Sequence, residues 1–98
     1  MILDSYDVNK INGFLIDNTK PYLVMVSGNV EHRETGDKEN LDVGFISDKH
    51  YNVFETFMLS QELGEILHVD VQVVDLEKCT EEYKKEMKEN GKIIYCSN

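Results

Sequence analysis

Apolar and polar positions in this chain recur with two different periods, and the changes of period divide it into seven segments. Val8, Ile11, Phe14 and Leu15 recur at helical spacing and predict a helix over 8–18. Asp7 stands where a side-chain oxygen would cap it. Gly13 interrupts its apolar face, and Asp17-Asn-Thr-Lys-Pro21 ends it. Pro21 steers Lys20 away from helical geometry and opens a strand over 22–27, a position that proline tolerates. That strand is apolar on both faces, as a central strand covered on both sides would be. Residues 28–40 carry two glycines and many charges and read as a loop. Strict alternation then returns over 41–46, with Leu41, Val43 and Phe45 set against Asp42, Gly44 and Ile46.

The second half repeats this logic. Ser47-Asp-Lys-His50 reads as a turn, and Asn52 caps a helix over 53–67. Val53, Phe57, Leu59, Leu63, Ile66 and Leu67 form its broad apolar arc, with Phe54 and Met58 on the shoulder. Residues 69–74 alternate, Val69, Val71 and Val73 against Asp70, Gln72 and Val74. A polar helix over 80–90 follows, with Thr80 as cap, acids in its first turn and Asn90-Gly91 at its end. Lys92-Ile-Ile-Tyr95 reads as a short edge strand. The class this predicts is α/β (α+β): a mixed four-stranded sheet with helices packed mainly on one side, in a single domain spanning 1–98. Phe54, Met58, Tyr83 and Met87 are the expected apolar surplus, a surface for self-association or a partner.

If the strands over 41–46 and 69–74 are neighbours with their valines packed on the same helices, Asp42 and Asp70 project from the same side of the sheet. Asn40, two residues before Asp42, shares that side.

Charge narrows the partners. Ten basic and 19 acidic residues give a net charge of −9. A domain that grips nucleic acid through phosphate neutralisation carries basic patches instead. The acidic balance suits a basic partner, or a nucleoside triphosphate bridged to carboxylates by metal ions. Met1-Ile-Leu-Asp-Ser-Tyr-Asp7 does not read as a signal peptide, and no segment has the length of a membrane span. Cys79 and Cys96 lack paired spacing and read as free thiols. The expected location is therefore cytoplasmic.

Other chemistry finds little support. His32, His50 and His68 fall in three separate segments without ligand spacing. Residues 37–42 lack the central glycine and distal glutamate of a calcium loop. Ser27-Gly-Asn lacks the flanking pattern of a nucleophile elbow.

The stretch 27–42, with Gly28-Asn29 at one end and Asn40-Leu41-Asp42 at the other, resembles the minimal nucleotidyltransferases of the polymerase-beta superfamily. Those domains carry Gly-Ser after a first strand, Asp-x-Asp opening the next, and a third Asp on a later strand. Here Asp70 takes the third place, and residues 86–95 match the closing helix, turn and strand, so almost the whole chain is covered. The resemblance implies that Gly28 and Asn29 contact phosphate. It implies that Asn40, Asp42 and Asp70 hold metal, with Asp42 and Asp70 as the catalytic pair. The implied activity is magnesium-dependent transfer of AMP from ATP to a protein hydroxyl, using two ions, with a HEPN-type toxin as acceptor. Asn29 replaces the family's Ser and Asn40 its first Asp. These departures imply the alternative, a catalytically impaired protein of the same fold that acts as a binding subunit or antitoxin by contact. The implied partners are a nucleoside triphosphate, a HEPN-type toxin or a second copy, without a membrane or a direct nucleic-acid grip.

Overall fold

The computed structural model describes residues 3–33 and 36–97; the side chains of residues 29–39 lie outside the described set. The elements run α1 (Ser5–Thr19), β1 (Leu23–Arg33), β2 (Gly36–Ile46), α2 (Val53–Leu67), β3 (Asp70–Asp75), α3 (Glu81–Asn90) and β4 (Lys92–Cys96). Among the described residues they form one four-stranded sheet in the order β3-β2-β1-β4. β1 is antiparallel to β2 and to β4, whereas β2 and β3 run parallel. The doubly apolar strand is therefore central, and the last strand lies at an edge.

α1 begins earlier, and β1 and β2 extend further, than the hydrophobic pattern predicts. The cap of α1 is Asp4, whose Oδ1 accepts from the Asp7 backbone N–H at 2.8 Å. Asp7 itself lies in the first turn, where its charge suits the helix dipole. Larger is the change at 28–40, read as a loop from its polarity. Pairing of β1 with β2 instead continues to Arg33 opposite Gly36, so Gly28 sits within a strand. A hairpin beyond the core needs only its backbone ladder, and that ladder leaves no apolar period in the sequence.

Alternation divides the core between two sheet faces. Val24, Val26, Leu41, Val43, Phe45 and Val73 point to one face and meet Ile11 and Leu15 of α1 and Leu63 and Leu67 of α2. Met25 points to the other and packs with Leu76 and with Met87 of α3, flanked by Leu23, Ile46, Val74 and Tyr83. Two helices thus cover one face and α3 part of the other. Met87 is buried and Tyr83 half-buried, so both leave the expected surface group, while Phe54 and Met58 remain exposed. Leu76 lies over Gly44, where an added Cβ would approach its side chain to 2.7–2.9 Å.

Local chemistry fixes the helix ends. Asn52 and Glu55 form a reciprocal capping box on α2, with bonds of 2.8 and 3.0 Å. Thr80 Oγ1 accepts from Tyr83 N at the start of α3. Ser60 of α2 reaches the outer edge of β3, its Oγ accepting from Val73 N at 2.8 Å. At the opposite edge the Asn12 amide donates to the Ile94 carbonyl at 3.0 Å.

Two helix ends store strain. Lys20 and His68 close α1 and α2 with φ of 47° and 59°, in the left-handed region that favours glycine. Gly91 closes α3 with φ of −89°, so its need for glycine is steric. A Cβ there would collide with the Met87 carbonyl oxygen and come within 2.7 Å of the Met87 sulfur. His68→Gly is expected to stabilise the fold by about 0.5–1 kcal/mol. Gly91→Ala is expected to destabilise it by about 1–3 kcal/mol. Since 1 kcal/mol moves the midpoint by about 4–8 °C in a chain of this size, thermal unfolding followed by circular dichroism checks both.

Candidate functional site

α3 covers the second sheet face only in part. Beyond it, alternation brings Ser27 of β1, Asn40 and Asp42 of β2, and Asp70 and Gln72 of β3 to one polar area. Ser27 is paired with Asp42, Asn40 with Asp70, and Asp42 with Gln72. Asp42 and Asp70 therefore share a face, but as diagonal neighbours. At a strand spacing near 4.8 Å and a rise near 3.3 Å per residue, their Cα atoms lie about 8 Å apart. The β3 residue directly beside Asp42 is Gln72. Gly28 is exposed and alternates toward the opposite face, and the Asn29 side chain lies outside the described residues.

Asp42 stands in a cleft lined by Ser27, Tyr83, Glu86 and Met87. The Tyr83 hydroxyl donates to Asp42 Oδ2 at 3.2 Å. Burial pushes the Asp42 carboxyl above its ordinary range; the Tyr83 hydrogen bond lowers it in part, and the negative charge of Glu86 raises it further. Tyr83 in turn holds its proton more tightly than a free phenol, first through burial, then through the Asp42 charge and the hydrogen bond to it. Tyr83 and Glu86, on α3, were missed as site residues. The Tyr83–Met87 spacing of four reads as an apolar contact, and nothing in it tells which sheet face the helix covers.

The sequence profile of the polymerase beta nucleotidyltransferases matches residues 9–98. The chain belongs to this family. Solved structures agree with the fold of this family member. It superposes on a chain of the MntA–HepT toxin–antitoxin complex with a TM-score of 0.81 and 23% identity, over 96% of this chain and 74% of that one. A chain from the complex of tri-AMPylated Shewanella oneidensis HEPN toxin with MNT antitoxin matches with a TM-score of 0.81 and 22% identity, over 97% and 74%. A toxin–antitoxin structure with AMP-PNP matches at 0.78 and 21%, over 93% and 74%. No curated protein matches the chain significantly.

Nucleotidyl transfer uses divalent cations held by clustered carboxylates, which activate the attacking hydroxyl and stabilise the leaving pyrophosphate. The donors in this chain are unlike that set. Asn40 and Gln72 offer neutral carboxamides, Asp70 lies diagonal to Asp42, and an oxygen of Asp42 already accepts from Tyr83. Among the described residues, no group of three or more His, Cys, Asp or Glu side chains could hold a metal ion. This donor chemistry does not fit a pair of magnesium ions.

The raised proton affinity of Asp42 has a defined sign. A carboxyl whose folded pKa exceeds its ordinary value, near 3.8, favours the fold below that value. That contribution is lost as pH rises through the folded value. Asp42→Asn keeps an acceptor for Tyr83 and removes the buried charge. Its melting temperature at pH 7 is expected to equal or exceed that of the natural chain, with a flatter stability profile just above pH 4. Tyr83→Phe removes the one influence that lowers the Asp42 pKa, so its carboxyl should titrate higher, read from the side-chain carbon resonance by NMR.

Proposed function

We propose that this nucleotidyltransferase-fold protein is a binding subunit that neutralises a HEPN-type toxin by contact, with nucleotidyl transfer impaired. The observation that carries this reading is the pair of carboxamides, Asn40 and Gln72, flanking Asp42 on the polar sheet face. Replacing a carboxylate by a carboxamide removes a full charge a few ångströms from a bound cation. At an effective dielectric near 20, a unit charge pair at about 4 Å is worth about 4 kcal/mol before desolvation. A net loss of about 1–3 kcal/mol in cation affinity, roughly tenfold to a hundredfold, is reasonable for one such change. Support for the partner comes from the solved neighbours, which include complexes with HEPN toxin.

The second reading is an active enzyme that transfers AMP from ATP to a hydroxyl of that toxin. Gly28, Asp42 and Asp70 favour it: two carboxylates remain on the polar face, and Gly28, next to Ser27 in β1, has no side chain to keep phosphate from the backbone. The tri-AMPylated toxin in one neighbouring complex favours it as well. On this reading Asn29 would donate to phosphate through its amide, and Asn40 would ligate the cation through its carbonyl oxygen.

Titration calorimetry with ATP, with and without magnesium, followed by a labelled-AMP transfer assay on a co-expressed HEPN-type protein, separates the two. The contact reading expects a stable complex with the toxin, no label transfer and little effect of magnesium on ATP binding. Asn40→Asp, alone or with Gln72→Asp, is expected to strengthen magnesium-dependent ATP binding about tenfold or more per substitution. Asn29→Ser with Asn40→Asp should raise label transfer. Efficient transfer by the natural chain, abolished in Asp42→Asn, would establish the enzyme instead.

A further inference from the structure

The N-terminal half of α2 presents apolar side chains that neither sheet face uses. Val53 is 86% exposed, Phe54 69%, Phe57 56% and Met58 43%. At 100° per residue the four fall on one side of the helix, while Leu63 and Leu67 turn into the core. Two aromatic rings and two aliphatic side chains at these exposures make a patch on the order of 400 Å², the size of the largest patch on a typical monomer, which is often functional. Glu65 extends this side toward the helix C-terminus, and Glu55 and Glu62 border it. α2 contains no Lys or Arg, and the nearest lysine in sequence, Lys49, precedes the helix.

We propose that this face of α2 docks an amphipathic helix of a different protein, one whose apolar stripe is flanked by Lys and Arg. The apolar patch supplies the desolvated centre of the contact and the glutamates select a basic rim. A second copy is the wrong occupant. Two chains of net charge −9 would meet glutamate border to glutamate border, a like-charge arrangement that opposes association. The surface lies on the sheet face opposite Asp42, so docking here leaves the cleft uncovered. This inference deepens the contact reading by naming where and how the partner is held.

The test compares the natural chain with Phe54→Gln/Phe57→Gln, which keeps good helix formers at exposed positions; circular dichroism checks the fold. The probe is a synthetic helical peptide with leucines at i, i+3, i+4 and i+7 flanked by Lys and Arg, against a twin flanked by Glu. Fluorescence anisotropy should show binding of the basic peptide, weakened roughly 30-fold or more by the double substitution. Affinity should fall several-fold between low and high salt. The Glu-flanked twin should not bind. Equal binding by the substituted chain, or equal binding of the twin, overturns the proposal. So does a dimer of the natural chain, seen by sedimentation and broken by the double substitution. If a HEPN-type protein fails to bind but the basic peptide is held on this face, the proposed function falls and the docking surface stands. If that protein binds natural and substituted chains alike, the docking surface falls and the contact reading stands.

Discussion

The backbone ladder that joins β2 to antiparallel β1 on one side and parallel β3 on the other sets the face on which each side chain stands. A shift by one residue would exchange Val43 for Asp42 in the core and empty the polar area of its carboxylate. Leu41, Val43 and Phe45 resist such a slip because all three are buried against α1 and α2. Burial on one face thus fixes the chemistry available on the other. The core and the cleft are two consequences of one register.

The same register explains the cleft's altered character. Asp42 is surrounded by groups that hold protons or lack charge: the Tyr83 hydroxyl, the carboxamide of Gln72 and the hydroxyl of Ser27. Glu86 adds negative charge without a basic neighbour among the residues lining the cleft. A carboxylate in that setting is costly to keep ionised, and its raised proton affinity expresses that cost. A family built around cation binding is here represented by a chain whose central aspartate hydrogen-bonds to a tyrosine. Apolar packing of Met87 against Met25 and Leu76 keeps α3, and so Tyr83, at that distance.

Much of the architecture was legible because alternation and helical spacing report burial directly. The central strand, both strands carrying aspartates and the helix 53–67 with its Asn52 cap could be read residue by residue. Boundaries failed where structure does not depend on burial. Asp4 rather than Asp7 caps α1 because both are acids near the same turn, and only geometry selects one. The hairpin beyond Gly28 is held by backbone pairing, which leaves no trace in hydrophobicity. In the cleft, the shared face of Asp42 and Asp70 was deducible from period two. Which β3 residue stands beside Asp42 was not, because alternation gives the face and leaves the offset between strands open. Gln72 and Tyr83 became visible only once register and helix placement were known.

The Ser60 hydroxyl has a wider consequence. An open sheet edge is a template on which a foreign strand can add and a polymer can start. Ser60 accepts the outward Val73 N–H at one edge of this sheet, and Asn12 donates to the Ile94 carbonyl at the other. Each margin thus has a backbone group already engaged by a helix side chain. Both guards sit on the helices that cover the core, so they remain in place for as long as the fold does. A strand adding at either of these points would have to displace one of them, whereas a neighbour resting on the outside of α2 would disturb neither.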